Sequence, residues 1–513
     1  MPRPPFDLLT RGWIPVRVGD RRDSVDLRAL FHRAHELTDV EVPLPPAASA
    51  FWRLLYVLTS RVTGLADPDM SFVEWHARRR EVWAEWSKGF DPAAVDAYFD
   101  RYRDRFDLFD ADRPWLQDPR LAEQCGKPSG LNKLVLGRPA GQNQVWFVHQ
   151  TDGDPEPIPA EEAVWYLLAQ LFYGPSGRCT SRTVGGSTEA NTAAGPLRGT
   201  LSFHPVGASV FESLLAGLSP PGEPDDGGVD LCPWEADTLF DPLSNPVVPS
   251  GAATLVGRAQ HSVLLRPAPD GQTVTDAWIT WAWRRKGLSP KDPHLIFQTS
   301  KEGTTYPRPA KAERALFRDL DALLCHDAGD QGVHRPAIVD SLQELGPEIV
   351  ARLRLRAFGF DQDGQTRDRQ WFTATTPPVL DLLEERRPEA AAAISRWRRA
   401  AEAAGRNLEL ALRMAWSAVS SPGEYDPRHP AGPWAALGAS RYWPAAERQF
   451  WQLVDAGDFD AVGSPFVRAA FDAYEQVTDG YASRPRFAQA IASARGAIVA
   501  SSSKKSTREK ETA

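Results

Sequence analysis

ISRWRRAAEAAGRNLELALRMAWSA, residues Ile394 to Ala418, decides how the C-terminal part of this chain folds. Ile394, Trp397, Ala401, Ala404, Leu408, Ala411, Ala415 and Ala418 recur at three- and four-residue spacing. At 3.6 residues per turn they share one stripe, and its many small side chains describe the seam of a helix bundle. Three further patterns follow. A helix is predicted from about Pro433 to Ala456, with Trp443, Ala446, Phe450 and Leu453 inward. Another starts with Ser464 as N-cap and Pro465 in the first helical position, and carries Val467, Phe471 and Tyr474. The last carries Phe487, Ile491, Ala494 and Ile498. Four amphipathic helices with short connections predict an antiparallel four-helix bundle over 377–500, after a boundary at Thr376-Pro377-Pro378. Residues 501–513 are polar and are expected to be a disordered tail.

Upstream the pattern changes to a mixture of strands and helices, so the fold class is α+β, with a large mixed α/β domain over 1–376 ahead of the bundle. Arg352-Leu353-Arg354-Leu355-Arg356-Ala357-Phe358 alternates with period two, which as a strand puts three guanidinium groups on one face. Such charges repel unless acids or phosphates neutralise them. The strand runs into hairpin chemistry at Asp363-Gly364, ahead of Gln365, Thr366 and Arg367. Either a probe for a DNA groove or an exposed hairpin bridged to Asp361, Asp363 and Asp368 fits this pattern. Further back, Ser262 to Leu265 and Ala277 to Trp283 are strand-like, and the second empties into Arg284-Arg285-Lys286-Gly287. Basic residues beside tryptophans suit a nucleic-acid surface, and they suit a solvated turn as well. Residues 218–250 hold seven prolines and read as an irregular excursion.

Gly174 to Gly199 holds six glycines and three arginines (Arg178, Arg182, Arg198), with Glu189 as its only acid. Glycine lets backbone N–H groups approach a polyanion while arginine supplies charge, and a long surface loop without a ligand has the same composition. Nearer the N-terminus, Gly12 to Val18 alternates like a strand. Ala50 to Leu65 is a helix with Phe51, Leu54, Leu55, Leu58 and Val62 on one stripe, and Glu161 to Phe172 is a second helix that stops at Gly174-Pro175.

The 513 residues allow two to four domains at roughly 100–200 residues each. With 42% hydrophobic and 25% charged residues, the composition is globular. No stretch reaches the roughly 20 apolar residues of a membrane span, and Met1 to Asp7 has no apolar signal core, so a soluble cytoplasmic protein is expected, with no membrane partner. The net charge of −8 argues against a uniformly basic coat but leaves room for local basic patches. Basic residues are 49 Arg against 10 Lys, which matches the coding bias of a GC-rich genome, as do the many Ala, Pro and Gly. Cys125, Cys179, Cys232 and Cys325 are far apart with no C-x-x-C pair, which predicts buried thiols and no cysteine-rich zinc site. Catalytic signatures are missing: no G-x-x-x-x-G-K-[ST], no H-E-x-x-H, no G-x-S-x-G. His32 and His35 share a helical face without a third ligand, and Cys325-His326-Asp327 offers only one HD dipeptide. No enzyme, cofactor or metal is expected.

The order of several strings resembles the CasA family, the large subunit of the type I-E CRISPR complex Cascade. They are Phe6-Asp7-Leu8-Leu9 with Trp13-Ile14-Pro15-Val16, Val25-Asp26-Leu27, Ala34-His35-Glu36-Leu37, Arg105 to Asp110 leading to Arg113-Pro114-Trp115-Leu116-Gln117, and Trp146 to Gln150. The glycine-rich stretch, the Gly364-Gln365-Thr366 hairpin and the terminal bundle then fall in the family's order. The resemblance implies a non-catalytic subunit near the 5′ handle of the crRNA. Such a subunit reads the protospacer-adjacent motif (PAM) in double-stranded target DNA from the minor groove, helps open the duplex into an R-loop, contacts other Cascade subunits and recruits a helicase-nuclease. By position, Phe147, Val148 and His149 match the loop that docks on the guide handle. Gly185 and Gly186 match the glycine loop at the PAM. Gly364, Gln365 and Thr366 match the wedge hairpin, with Gln365 as the wedge, and the family's groove-reaching lysine falls at Arg285 or Lys286. Some members hold zinc with two C-x-x-C pairs; this chain has neither. The competing reading is a structural scaffold of a ribonucleoprotein that does not itself read the PAM.

Overall fold

A computed structural model describes residues 5–85, 88–140, 149–220, 228–244, 248–284, 292–326, 332–362, 368–421, 431–460 and 465–499. The chain packs as two units, 1–312 with 335–380, and 313–334 with 381–513. The segment 313–334, which the sequence patterns left with the first unit, packs with the helices of the second. There the guanidiniums of Arg314 (Nη1, 3.3 Å) and Arg318 (Nε, 2.7 Å) both reach the Glu402 carboxylate.

The first unit opens with the strand pair β1 (Ile14–Val18) and β2 (Arg21–Val25), joined through Gly19 at φ +57°. Two of the strings quoted above for their order turn out to be paired in space. Leu8 N–H donates to Phe106 C=O and Leu108 N–H to Phe6 C=O, both at 3.0 Å, while the Asp107 carboxylate accepts from Phe109 N–H at 2.8 Å. The helix α1 (Pro45–Thr63) starts on two prolines and ends on Gly64 at φ +73°, the left-handed conformation that glycine adopts without cost. Its residues are buried almost all round and not on one stripe alone, because it lies in the core against α2 (Ala160–Tyr173) and a central sheet.

Next come β3 (Gly177–Val184) and β4 (Ser187–Thr192), an antiparallel pair. The strand β5 (Leu201–Val206) belongs to the central sheet. The strands β6 (His261–Pro267) and β7 (Thr273–Trp281) form a second antiparallel pair, with Ile158–Pro159 on the other edge of β7. The strands β8 (Arg354–Gln362) and β9 (Asp368–Thr375) complete the central sheet in the order β9-β8-β5. All four cysteines are buried free thiols.

The second unit holds α3 (Pro388–Ser420), α4 (Gly432–Ala456), α5 (Pro465–Thr478) and α6 (Pro485–Arg495). The stripe from Ile394 to Ala415 is buried as its period requires, while its last expected member, Ala418, is exposed. On α4 the order of contacts gives the direction: a Cβ on Gly432 would meet Trp416, one on Gly438 would meet Leu412, and one on Gly405 would meet Tyr442 and Trp443. Partner numbers rise on one helix as they fall on the other, so α3 and α4 are antiparallel. The inward face of α4 is Trp434, Tyr442, Ala446 and Phe450, with Trp443 and Leu453 only half-buried. Tyr442 Oη donates to the Ala401 carbonyl at 2.6 Å, so the tyrosine takes the buried place expected for its neighbour. On α5 Tyr474 is buried as expected, while Phe466 and Ala470 are buried one position before the expected Val467 and Phe471. Ser464, read as its N-cap, and the tail 501–513 lie outside the described residues.

Among the described residues no helix is long and apolar enough to cross a membrane, and no cluster of three His, Cys, Asp or Glu side chains could hold a metal. His32 Nε2 lies 3.0 Å from Asp96, and His35 lies 3.8 Å from Glu36. His326 uses its backbone N–H on Glu384.

Candidate nucleic-acid interface

The glycine-rich stretch is an ordered hairpin. Its two loop residues, Gly185 (φ +56°) and Gly186 (φ +78°), follow Val184 and precede Ser187, which pair with each other. A two-residue loop with positive φ at both positions is the turn that matches strand twist, and glycine is the residue that adopts it freely. Both glycines are exposed. A Cβ on Gly186 would meet nothing within 4 Å, and one on Gly185 would touch only Leu243 Cδ1, at 2.9 Å. The tip is therefore bare backbone facing outward.

Below the tip the hairpin is pinned. Arg182 is fully buried. Its guanidinium donates to Asp118 Oδ2 (2.7 Å), Gln124 Oε1 (2.7 Å) and the Trp281 carbonyl (3.0 Å), and lies 5.2 Å over the Trp281 ring. Burial alone would push the Asp118 carboxyl up; the guanidiniums of Arg120 and Arg182 outweigh it and hold it below the usual carboxylate range. Thr280 Oγ1 donates to the Thr180 carbonyl at 2.6 Å, and Trp281 Nε1 to the Glu189 carbonyl at 3.2 Å, so β7 braces both strands. Two of the three arginines offered as phosphate ligands are thus spent inside the fold. Arg182 is one; the other, Arg198, donates to the Tyr173 carbonyl (2.8 Å) and Asp368 Oδ1 (2.9 Å). Arg178 is exposed.

One other candidate segment joins this hairpin at its root. Arg284, the last described residue before Arg285 and Lys286, donates to Glu189 Oε1 at 2.8 Å and lies 5.3 Å over Trp281. Arg285 and Lys286 themselves lie outside the described residues, as do Gly364, Gln365 and Thr366. The two strands that lead into 363–367 are tied to the glycine stretch: Gly199 N–H donates to Gln362 Oε1 at 3.2 Å, and Gln362 Nε2 donates to Asp368 Oδ1 at 2.7 Å. Of the handle-docking trio, Phe147 and Val148 are outside the described residues, and His149 is exposed. The chain after it is fixed by Gln150 Nε2 on Glu156 (3.0 Å) and by Ile158 paired with Val274 of β7.

The basic strand differs from its reading. β8 begins at Arg354, and the three guanidiniums do not form one free face. Arg352 pairs with Glu212 (2.7 Å) and Arg356 holds both oxygens of Asp39 (2.9 and 2.6 Å). Because β8 is the middle strand of its sheet, acids on neighbouring segments reach it. Arg352 and Arg354 are both exposed, and Arg354 has no ion pair among the described residues. Asp118 and Gln124, the anchors of the hairpin, were not singled out in the sequence. Asp118 directly follows the string Arg113 to Gln117, but nothing local says that a strand some 60 residues on will bury an arginine against it.

The comparisons agree with the resemblance. The family model described as CRISPR-associated protein Cse1 matches residues 7–482. A CasA/Cse1 protein of Thermus thermophilus is 27% identical over 425 residues, 80% of this chain and 75% of that protein. A chain solved in a CRISPR RNA-guided surveillance complex is 47% identical, with a TM-score of 0.86 over 97% of this chain and 100% of that one. A second, from a surveillance complex described as pre-nicking, is 48% identical, with a TM-score of 0.78 over 96% and 98%. With a family model spanning nearly the whole sequence and the same fold in these relatives, the chain belongs to the CRISPR-associated Cse1 (CasA) family.

Proposed function

We propose that the chain is the non-catalytic large subunit of a type I-E CRISPR surveillance complex, where it binds the crRNA-bearing assembly and reads the PAM in duplex DNA. The observation that carries the subunit assignment is the near-complete likeness to a chain solved within such a complex. PAM reading is supported by the Gly185-Gly186 tip, an outward backbone turn on a braced hairpin, with the root of the Arg285-Lys286 segment held to the same hairpin through Arg284 and Glu189.

In this reading the tip lets main-chain N–H groups enter a groove that side chains would block. The minor groove separates A·T from G·C only coarsely, so such a reader accepts several short motifs. Gln365, in the sequence between β8 and β9, acts as a wedge at the first base pair of the target. Unstacking there costs a few kcal/mol. Each base-pair step opened costs roughly 1.4 kcal/mol more before guide pairing compensates. Contacts from Arg178, Arg285 or Lys286 to phosphate offset that early deficit. His149, with Phe147 and Val148, docks on the guide-handle end, and the opened complex recruits the helicase-nuclease.

The test is R-loop formation by the reconstituted complex on relaxed DNA with Gln365→Ala. Opening as fast as wild type overturns the wedge assignment. A scaffold without PAM reading is the second reading, favoured by the internal pairing of Arg182, Arg198 and Arg356. It requires that Gly186→Ala and Lys286→Ala leave discrimination among PAM variants unchanged.

A further inference from the structure

Glu189 is the only acid between Gly174 and Gly199, and its carboxylate holds a cation. Glu189 Oε1 accepts from Arg284 Nη2 at 2.8 Å, and the side chains are 34% and 32% exposed, so the pair stands at the surface. Arg284 has no other ion pair among the described residues. It is fixed from two further sides: its guanidinium lies 5.3 Å over the Trp281 ring, and its backbone N–H donates to the Pro242 carbonyl at 3.2 Å. Trp281 Nε1 donates to the Glu189 carbonyl at 3.2 Å, which ties the same ring to the strand that bears the acid.

The height of this pair on the hairpin decides what it can meet. Glu189 sits opposite Arg182 in the register, and Ser187 pairs with Val184 beside the turn. Glu189 is therefore two residues below Ser187, about 7 Å along a strand that rises about 3.3 Å per residue. The minor groove of B-form DNA is about 7.5 Å deep, with phosphates along its edges. When the Gly185-Gly186 backbone reaches the groove floor, the Glu189–Arg284 pair is level with those phosphates. A free guanidinium at that height would neutralise a phosphate and release its counter-ion; one already held by a carboxylate does not.

We propose that Glu189 acts as an internal counter-ion that withholds Arg284 from phosphate, and so limits the sequence-independent affinity of this subunit for duplex DNA. The inference rests on the reading that the glycine hairpin meets the target duplex. Phosphate contacts carry no base information, so one more would tighten binding to duplexes with and without a PAM by the same factor. The cost of such a contact is occupancy: non-target sites far outnumber targets, and a complex held longer on each reaches its target later. Glu189 thus sets how firmly the subunit grips any duplex, while the glycine tip sets which duplex it prefers.

The test uses the assembled complex and two duplexes without a match to the guide, one with a PAM and one without, in fluorescence anisotropy across a range of salt. Glu189→Gln keeps an oxygen that accepts from Arg284 and loses the charge. It should bind both duplexes about fivefold more tightly at roughly 0.15 M salt, with a slope of log K against log salt steeper by about 0.9, the signature of one added phosphate contact. Its thermal midpoint should match wild type, because an exposed pair adds little to stability. Glu189→Gln/Arg284→Gln has no cation to release and should return to wild-type affinity and slope. A Glu189→Gln complex that binds no tighter, or with an unchanged slope, overturns the proposal, as does a tightening that persists in the double variant. A wild-type complex that binds the two duplexes alike refutes PAM reading instead, and the salt slopes still decide the role of Glu189.

Discussion

Replacing Asp118 by Asn removes the carboxylate that holds Arg182 while leaving the side chain's shape intact. Arg182 is fully buried and its guanidinium cannot turn to water. Breaking a buried ion pair by deleting one partner costs about 3–5 kcal/mol. Arg182 keeps Gln124, the Trp281 carbonyl and the Trp281 ring, so the lower end applies, about 3 kcal/mol. Arg120 is 31% exposed, can move to solvent, and adds little. At about 2 °C per kcal/mol for a unit of this size, the unfolding midpoint should drop by about 6 °C at pH 7. The double variant Asp118→Leu/Arg182→Met removes both charges, and should recover at least half of that loss, because an apolar pair of similar volume often replaces a buried ion pair without penalty. Acid should act in the same direction as the single variant. The Asp118 carboxyl is depressed in the folded chain, so its contribution is complete above the unfolded value near 3.9 and is lost as pH falls through the lower folded value. Differential scanning calorimetry of the full chain gives all three results. A single variant within 2 °C of wild type, or a double variant no better than the single, would show that Arg182 is not held by this charge. In the complex, Asp118→Asn should also weaken discrimination among PAM variants, since the pair sits three residues from the Gly185-Gly186 tip.

Gly195→Ala puts a methyl group 2.5 Å from the Phe172 carbonyl oxygen and should cost about 2–3 kcal/mol, seen as a lower urea midpoint at unchanged slope. Gly186→Ala meets open space at φ +78° and should cost only about 1 kcal/mol, while raising the PAM-dependent dissociation constant of the complex in a gel shift. His261 is held neutral to about pH 4, below its unfolded value near 6.5, so the folded chain binds fewer protons. Stability should therefore be flat above pH 7 and fall as pH drops from about 6.5 towards 4, and in urea titrations His261→Phe should show a shallower fall. Tyr442→Phe removes the hydroxyl that donates to the Ala401 carbonyl and should lower the stability of the helical unit by about 1 kcal/mol by the same titration.

Periodic elements were the legible part of this protein. The stripe from Ile394 to Ala415 is buried as spaced, α2 ends one residue before Gly174, and β6 and β7 overlap the strand-like segments 262–265 and 277–283. Errors came where burial is decided by a neighbour. On α4 and α5 the inward residue is one position away from the reading, Tyr442 beside Trp443 and Phe466 beside Val467, because adjacent large residues on a helix leave the choice to the facing surface. The basic residues show the same limit. Nothing around Arg182, Arg198 or Arg356 tells that Asp118, Asp368 and Asp39 will meet them from far along the chain.

By itself the sequence determined the class of fold, the helical C-terminal unit and, through the order of its strings, the family. Each is written in spacing or in residue type: a period of 3.6 or 2, a succession of short strings. Tertiary structure alone decided which cations are free to meet a polyanion. It alone tied the root of the Arg285-Lys286 segment to the glycine hairpin, through Arg284 and Glu189. Charge compensation and burial depend on partners that folding brings together across tens to hundreds of residues, and no local pattern encodes them.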